Sequence, residues 1–181
     1  MADLVFYTGA MGSGKTAQAL ILKYQYEKNG KKVWLIKPLS PKELLQNSQK
    51  PSCTETRSRI GLGALATAIS PDDSLVLPIG IDVIICDEAQ SLTAKQVEEL
   101  KVISEKQDIP VFCYGLRTNS DSSLFEGAKR LFELASIIKE VSLQCRCGNT
   151  AIINYKDTQG VFVTFEALCY NCWQNQRKEQ K

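Results

Sequence analysis

The 181-residue chain contains no histidine. Histidine is the most frequent general base in enzymes, because its unperturbed pKa lies closest to neutrality. Any proton transfer that this protein carries out near pH 7 must therefore depend on a carboxylate, a lysine or a cysteine.

Long apolar runs are also absent. No run approaches the roughly 20 residues that span a bilayer, and the opening MADLVFYTG lacks the basic start and the apolar length of a secretory signal. The net charge of +2 is too small to indicate a nucleic-acid surface, and the final QNQRKEQK is expected to be solvated. We therefore expect a cytoplasmic protein with no membrane partner, and the composition does not favour a nucleic-acid partner.

Apolar runs of strand length alternate with amphipathic segments along the chain. LVFYTG, KKVWLIKP, the run that includes Val83–Cys86, and IPVFCYGL predict buried strands. This alternation predicts an α/β fold with a P-loop NTPase-like parallel sheet flanked by helices. Cysteines begin to pair near residue 140, so we predict a nucleotide-binding domain over residues 1–140 and a small C-terminal zinc-ribbon domain over residues 141–181.

Three helices are predicted between these strands. The first runs from about Thr16 to Lys28, the second is capped by Thr93, and the third lies within SSLFEGAKRLFELAS. The residues predicted to face inward are Val97, Leu100, Val102 and Ile103 in the second helix, and Leu124, Leu131, Phe132 and Leu134 in the third. Residues 40–63 are predicted to form a long loop with a helical turn near Lys42–Gln46, and DSLVLPI is a candidate short strand.

GAMGSGKT, residues 9–16, follows a strand and opens a helix, which is the context of a phosphate-binding loop. Glycines allow backbone N–H groups to point at phosphate oxygens, Lys15 would reach the β and γ phosphates, and Thr16 would bind Mg²⁺. The alternative is a glycine-rich turn that only tightens a strand–helix junction. The predicted nucleotide-binding residues are Gly9, Ala10, Met11, Gly12, Ser13, Gly14, Lys15, Thr16, Asp87 and Gln90.

Two acids follow the strand that ends at Cys86. Asp87 would lie at the carboxyl end of a parallel strand, where ligands of such sheets bind, and it is suited to the Mg²⁺–water site. Glu88 has no metal role assigned and is free to accept a proton from water or from an acceptor hydroxyl. The alternative is that both acids only cap the following helix.

Four cysteines form two close pairs, Cys145 with Cys147 and Cys169 with Cys172. Two hairpin-borne pairs at this separation are typical of a zinc ribbon, in which four thiolates surround one structural Zn²⁺. Free thiols or a lost metal are the alternatives, and a cytosolic chain argues against disulfides.

GAMGSGKT, DEAQSLTAKQV, PVFCYGLRT followed by LFEGAKRL, then CRCG and a C-terminal C-x-x-C together resemble the two-domain, zinc-containing thymidine kinase family, above all its bacterial branch. The resemblance implies transfer of the ATP γ-phosphoryl group to the 5′-hydroxyl of thymidine or a related deoxynucleoside. It implies ATP, Mg²⁺ and structural Zn²⁺ as cofactors, Glu88 as the catalytic base, and a homotetramer. It also implies that a loop of the zinc lobe, the lasso, folds over the nucleoside.

The departures from the family lie on the acceptor side. Ser91 stands where D-E-x-Q is usually followed by a phenylalanine that packs on the thymine ring, and Asn119-Ser120 replaces a D-F pair. Losing two aromatic walls would remove stacking of about 1 kcal/mol each and leave a wider, wetter cleft. Leu116 and Phe125 remain at matching positions and are candidate substrate residues.

Two further segments depart from the family. In place of K-P-x-x-D-x-R the chain has Lys37-Pro38, then Pro41 and Glu43 where the family has its aspartate and arginine. These two charges could come instead from Glu55–Arg57. We hypothesise that Arg57 neutralises transition-state charge. The lasso is short but keeps Gly160 and an aromatic, Phe165, which is a candidate substrate residue.

Two other functions remain open from the sequence. One is a diverged P-loop nucleoside kinase or ATPase whose acceptor has changed or been lost, which the serines at 91 and 120 favour. The other is a zinc ribbon beside a nucleotide switch that grips single-stranded nucleic acid, although the ribbon region lacks interleaved basic and aromatic residues.

Overall fold

The computed structural model describes residues 1–46, 51–157 and 164–179. The strands are β1 (Leu4–Thr8), β2 (Val33–Pro38), β3 (Cys53–Arg57), β4 (Gly63–Ile69), β5 (Val83–Cys86), β6 (Val111–Gly115), β7 (Ile137–Glu140), β8 (Ile153–Asp157) and β9 (Thr164–Leu168). The helices are α1 (Lys15–Lys28), α2 (Pro41–Gln46), α3 (Ala94–Lys106), α4 (Glu126–Leu134) and α5 (Tyr170–Glu179), with a 3₁₀ turn at Ala89–Ser91.

β1 to β7 form one sheet in the order β3-β4-β2-β5-β6-β1-β7. Its strands pair in parallel except β3 and β4, which pair antiparallel at one edge. The predicted α/β class is confirmed. Because parallel strands end at the same edge, the segments that follow β1, β5 and β6 converge there.

β5 shows how the sheet separates two layers of helices. Ile84 packs in the core shared with α3 and α4, whereas Ile85 packs in the core shared with α1. Burial on both faces explains why β5 has an unbroken apolar sequence instead of an alternating one.

The cap predicted for α3 is confirmed. The Gln96 backbone N–H donates to Thr93 Oγ1 (3.2 Å), and the Thr93 N–H donates to Gln96 Oε1 (3.1 Å), which forms a capping box. Val97, Leu100 and Ile103 are buried as predicted. The prediction for Val102 is wrong, because its side chain is 47% exposed: it lies about 140° around the helix from Val97.

Leu131 of α4 is buried as predicted, and Phe132 and Leu134 pack against the same core. The prediction for Leu124 is wrong, because it precedes α4 and is exposed. Within the described ranges, no helix combines the length and apolarity needed to cross a membrane.

The loop prediction for residues 40–63 is partly wrong. α2 confirms the helical turn, but β3 lies inside this segment and β4 begins at its end. DSLVLPI is not a strand. Instead, side chains of α3 bind its backbone: Gln96 Nε2 donates to the Asp73 carbonyl (3.0 Å), and the Leu75 N–H donates to Glu99 Oε2 (2.8 Å).

The segment after β7 forms a second, smaller body, which we call the cysteine lobe (residues 141–157 and 164–179). β8 and β9 pair antiparallel in it, and α5 contacts both strands. Its apolar core includes Ile153, Leu168 and Trp173, and it also includes Ala10 of the glycine-rich loop.

Candidate active site

The glycine-rich loop connects β1 to α1. Gly12 and Gly14 have φ values of 86° and 91°, in the left-handed region that favours glycine. A Cβ on Gly9 would lie 2.4 Å from the Val141 carbonyl oxygen, so only glycine fits at that point. The loop therefore ends with the N-terminus of α1 open toward one cavity, which is the arrangement that binds phosphate.

Lys15 lies over this loop. Its Nζ donates to the carbonyls of Gly9 (3.0 Å) and Ala10 (2.8 Å) and contacts Ser13 Oγ at 3.3 Å. Burial lowers the pKa of Lys15 to about 8, although the nearby carboxylates of Glu88 and Asp87 act in the opposite direction. The positive charge of Lys15 therefore lies in a poorly solvated position, where it would attract an anion strongly.

We expect the affinity for ATP to fall as the pH rises through about 8, because only protonated Lys15 attracts phosphate. The dissociation constant should increase about tenfold between pH 7 and pH 9. Titration with a fluorescent ATP analogue would measure it, with Lys15→Arg as the control, since an arginine stays charged throughout. An unchanged dissociation constant in the native protein would contradict the assignment.

The same pKa shift has the opposite effect on stability. Between about 8 and the ordinary value of 10.5, the unfolded chain binds more protons at this position than the folded chain. Lys15 therefore makes the folded state more stable as the pH rises through that range. Because Lys15 stabilises the folded state as the pH rises, unfolding caused by its titration would not account for weaker ATP binding at pH 9.

Asp87 lies directly after β5, and its side chain is 3% exposed. Thr16 Oγ1 donates to Asp87 Oδ1 (3.2 Å), and Thr56 Oγ1 donates to Asp87 Oδ2. The structure thus brings together the two predicted Mg²⁺-binding groups. Thr56, on β3, is a contact that sequence reasoning missed, because it lies far from the motif in sequence within a segment predicted to be a loop.

Glu88 and Gln90 form a connected pair. Glu88 has a φ of 55°, a left-handed conformation that is uncommon outside glycine. Gln90 Nε2 donates to Glu88 Oε2 (2.5 Å), and Gln90 Oε1 accepts from the Leu116 N–H (2.9 Å). Gln90 therefore holds the Glu88 side chain in place. Gln90 itself is not among the described residues that line the cavity.

The alternative role of the two acids as helix caps is not supported. The Glu88 side chain makes no capping hydrogen bond to the 3₁₀ turn, and α3 is capped by Thr93 instead. Both carboxylates are directed to other side chains, Asp87 to hydroxyls and Glu88 to an amide.

A cavity of about 280 Å³ opens between the loop, β5 and the segment after β3. Its walls contain Met11, Gly12, Gly14, Lys15, Thr16, Ala17, Arg57, Ser58, Arg59, Ile60, Glu88 and Leu116. The arrangement places a cation, a hydroxyl and a carboxylate around one space, which is what phosphoryl transfer requires.

Two arginines line this cavity. Arg57 is 68% exposed and forms an ion pair with Glu55 (2.7 Å) on the same strand. Arg59 lies against the glycine-rich loop, with its guanidinium 3.5 Å from the point where a Cβ of Gly12 would be. Sequence reasoning missed Arg59, although it belongs to the TRSRIG stretch that contains Arg57.

The four cysteines of the two pairs meet in the cysteine lobe. Their sulfur atoms all lie within 4.8 Å of one another, and Cys147 and Cys169 Sγ are 3.6 Å apart. Tetrahedral coordination with Zn–S bonds of about 2.3 Å places sulfurs about 3.8 Å apart, so the set fits one zinc ion. The prediction of two hairpins is wrong for the second pair, because Cys172 lies in the first turn of α5.

The electrostatics of the cluster also suit a cation. The backbone N–H of Cys172 lowers the pKa of Cys169 to about 7, which favours its thiolate. Contacts with the other sulfurs, first with Cys147, raise the pKa of Cys172 to about 12. Clustered thiolates repel one another unless a cation lies between them.

A family model described as "Thymidine kinase" matches residues 2–175. The chain belongs to the thymidine kinase family. The thymidine kinase of Enterobacteria phage T4 is 34% identical over 160 residues, which covers 84% of this chain and 79% of the phage protein. That of Zymomonas mobilis is 35% identical (86% and 81% covered), and that of Encephalitozoon cuniculi is 32% identical (94% and 86%).

Similarity to solved structures is weaker. Bacteroides Pif1 bound to ssDNA matches with a TM-score of 0.40 and 17% identity, over 77% of this chain and 38% of that chain. A match at this level carries no argument about the fold or the function.

The acceptor side of this thymidine kinase family member is only partly assembled from the predicted residues. Leu116 lines the cavity. Phe125 instead packs against the main core, and Phe165 is 47% exposed on β9. Gly160 lies outside the described residues, so the structure tests no expectation for it.

The segments that depart from the family motifs have other contacts. Glu43, at the position of the family arginine, accepts from Lys37 Nζ (3.0 Å) and from the hydroxyl of Ser40 (2.7 Å). The carbonyl of Ser120 accepts from the indole N–H of Trp173 (3.2 Å). Neither residue is among those that line the cavity.

Proposed function

We propose that the protein transfers the γ-phosphoryl group of ATP to the 5′-hydroxyl of thymidine. The observation that carries this proposal is the position of Glu88 and Lys15 in the walls of one cavity in a member of the thymidine kinase family. The cation would bind the donor phosphates, and the carboxylate would accept the proton of the attacking hydroxyl.

We propose roles for the glycine-rich loop and for the three polar residues that follow β5. The amides of residues 9–16 bind the triphosphate together with Lys15, and Thr16 and Asp87 are the groups that would hold Mg²⁺. When bound, the metal supplies charge neutralisation for the phosphates. Glu88 is the proposed general base, and Gln90 keeps its carboxylate turned in one direction.

A nucleoside kinase with a different acceptor is the second candidate. It is favoured by Ser91 and Ser120, which replace the two aromatic residues of the family pocket. Phe125 does not compensate, because it is committed to the main core. Both candidates use the same donor site and differ in the hydroxyl that receives the phosphoryl group.

The deciding experiment measures ADP release and phosphorylated product with each deoxynucleoside in turn. Thymidine-dependent release with formation of its 5′-monophosphate supports the first proposal. Release with another nucleoside supports a changed acceptor, and release without any nucleoside indicates an ATPase. Stimulation by single-stranded DNA would instead favour the nucleic-acid alternative. Lys15→Met, assayed in the same way, gives the background rate of ADP release and product formation.

Arg59→Ala should lower kcat by about 100-fold, because Arg59 faces the loop where charge develops on the transferred phosphoryl group. Arg57→Ala, its matched control, should change kcat by less than about threefold, because an exposed ion pair with Glu55 contributes little. Steady-state kinetics at saturating ATP would measure both. The reverse order would assign the charge-neutralising role to Arg57, as the sequence predicts.

We propose that the four cysteines hold one structural Zn²⁺. Cys169→Ser should remove most of the bound zinc and lower Tm by about 10 °C, since a metal that binds only the folded state stabilises it. Cys53→Ser is the matched control, because Cys53 is exposed on β3, away from the cluster. Metal analysis showing no zinc in the native protein would refute the site.

We also propose a division into two domains, a cytoplasmic location and a homotetrameric assembly. Residues 1–140 and 141–181 would form the nucleotide-binding domain and the zinc-ribbon domain, and the protein would act in the cytoplasm as a homotetramer. The exposed Ile21 and Tyr24 on α1 offer an apolar surface for such assembly. Light scattering of the purified protein would determine the oligomeric state.

A further inference from the structure

Asn154 connects the cysteine lobe to both halves of the cavity. It lies on β8 and is only 4% exposed. Its Oδ1 accepts from the Met11 N–H of the glycine-rich loop (2.6 Å), and its Nδ2 donates to the Thr118 carbonyl (3.4 Å). One buried amide therefore binds the backbone of two loops that are more than 100 residues apart in sequence.

The first contact acts on the phosphate-binding side. Gly12, directly after Met11, and Gly14 have left-handed backbones, so the loop has more conformations open to it than an ordinary segment. Asn154 selects one of them by binding the Met11 amide. Ala10 adds a second restraint, because it is buried in the core of the cysteine lobe.

The second contact acts on the segment after β6, residues 116–124, which we call the acceptor loop. It begins at Leu116 in the cavity wall. Thr118 Oγ1 donates to the Ile152 carbonyl (3.4 Å), and Trp173 donates to the Ser120 carbonyl (3.2 Å). The cysteine lobe thus binds this loop at Thr118, through the residues at the start of β8, and at Ser120, through α5.

These contacts all come from the part of the chain between and after the cysteine pairs. β8 and β9 lie between the pairs, and Trp173 follows Cys172 directly. The strands bury an apolar core together with Cys145 and Cys169. By binding both loops, the folded lobe would reduce the ordering that they undergo when substrates bind.

We propose that Asn154 is a positioning residue that sets the glycine-rich loop for ATP and the acceptor loop for the nucleoside. The acceptor half of this inference rests on the proposed kinase function, whereas the donor half requires only ATP binding. Asn154 acts through Met11 and Thr118, so its effect is on substrate affinity more than on the chemical step.

Asn154→Ala would leave the Met11 N–H and the Thr118 carbonyl without these partners. We expect the ATP dissociation constant and the nucleoside KM each to rise about three- to tenfold, with a smaller change in kcat, since one hydrogen bond is lost on each side. Trp173→Phe removes the bond to Ser120 and keeps an aromatic ring in the core of the lobe, so it should raise the nucleoside KM with little change in ATP binding. Asn175→Ala is the matched control, because Asn175 is exposed on α5.

Three measurements separate positioning from general stability: zinc content, Tm, and ATP titration in the absence of nucleoside. A purely structural role would lower Tm and the active fraction while leaving the dissociation constant and both KM values unchanged, and that result overturns the inference. If the native protein phosphorylates no nucleoside but Asn154→Ala still weakens ATP binding, the proposed function fails and the donor half of the inference stands.

Asn154→Asp keeps the test decisive if the alanine variant does not fold. Aspartate retains an acceptor for the Met11 amide but, when ionised, offers no donor to Thr118. The nucleoside KM should then rise, and the added negative charge beside the glycine-rich loop should also weaken ATP binding although the bond to Met11 is kept. An unchanged nucleoside KM in this variant would overturn the role assigned to the Thr118 contact.

Discussion

Glu88→Gln should lower kcat for nucleoside phosphorylation by about 10²- to 10⁴-fold, the range expected when a general base is removed. The amide has the same shape as the carboxylate and can still bind Gln90, but it cannot accept a proton from the acceptor hydroxyl. KM for ATP and the nucleoside should change little, because Glu88 is proposed to act on the proton transfer in the transition state and not on substrate binding. Steady-state kinetics over several concentrations of each substrate would separate the two parameters.

Because the chain has no histidine, few other groups could replace Glu88 as the base. Among the residues that line the cavity, Glu88 is the carboxylate, and Lys15 is engaged with the loop. Glu105→Gln is a matched control, because it breaks only an exposed ion pair with Lys101 on α3. If Glu88→Gln retained more than about a tenth of native kcat, base catalysis by this residue would be refuted.

Lys15→Met should reduce kcat/KM by about 1000-fold or more, because it removes the positive charge closest to the loop that binds the phosphates. Methionine fills a similar volume, so the cavity wall should remain intact. Lys15→Met should weaken ATP binding and lower kcat, whereas Glu88→Gln should lower kcat and preserve binding. Kinetics together with direct ATP titration would show the difference.

Stability provides an internal check on this variant. Burial disfavours the charged form of Lys15, as its lowered pKa shows, so replacing it should leave Tm unchanged or raise it below pH 8. Lys28→Met, at the other end of α1, is the matched control and should keep native activity. A large fall in Tm would mean that the loss of activity reflects unfolding, contrary to our assignment.

Much of the sheet follows from local pattern. β1, β5 and β6 are mostly apolar because both faces are buried, and Thr93 marks the start of α3 by its capping box. β3 was harder to predict, because CTETR is a polar edge strand on which Thr56 alone is buried. DSLVLPI misleads for the opposite reason: it is apolar, yet Gln96 and Glu99 of α3 satisfy its backbone in place of a neighbouring strand.

The candidate site shows the same division. The glycine-rich loop, the acids after β5 and the cysteine pairs are recognisable in sequence because each depends on residues close together in the chain. Arg59, Thr56 and Asn154 are not, because each reaches a partner from a distant segment. Phe125 matches a family position in sequence, but its ring packs against the main core.

By itself, the sequence predicted the donor chemistry, since a run of eight residues between a strand and a helix is typical of a phosphate site built from backbone amides and one lysine. It also excluded histidine as the general base, which left a carboxylate, a lysine or a cysteine. Only the tertiary structure decided which side chains surround that site. Contacts such as Met11 with Asn154, or Thr16 with Asp87, join segments whose separation in sequence places no constraint on their distance. They exist because the parallel sheet brings its strand ends to one edge and the cysteine lobe packs against the loops there.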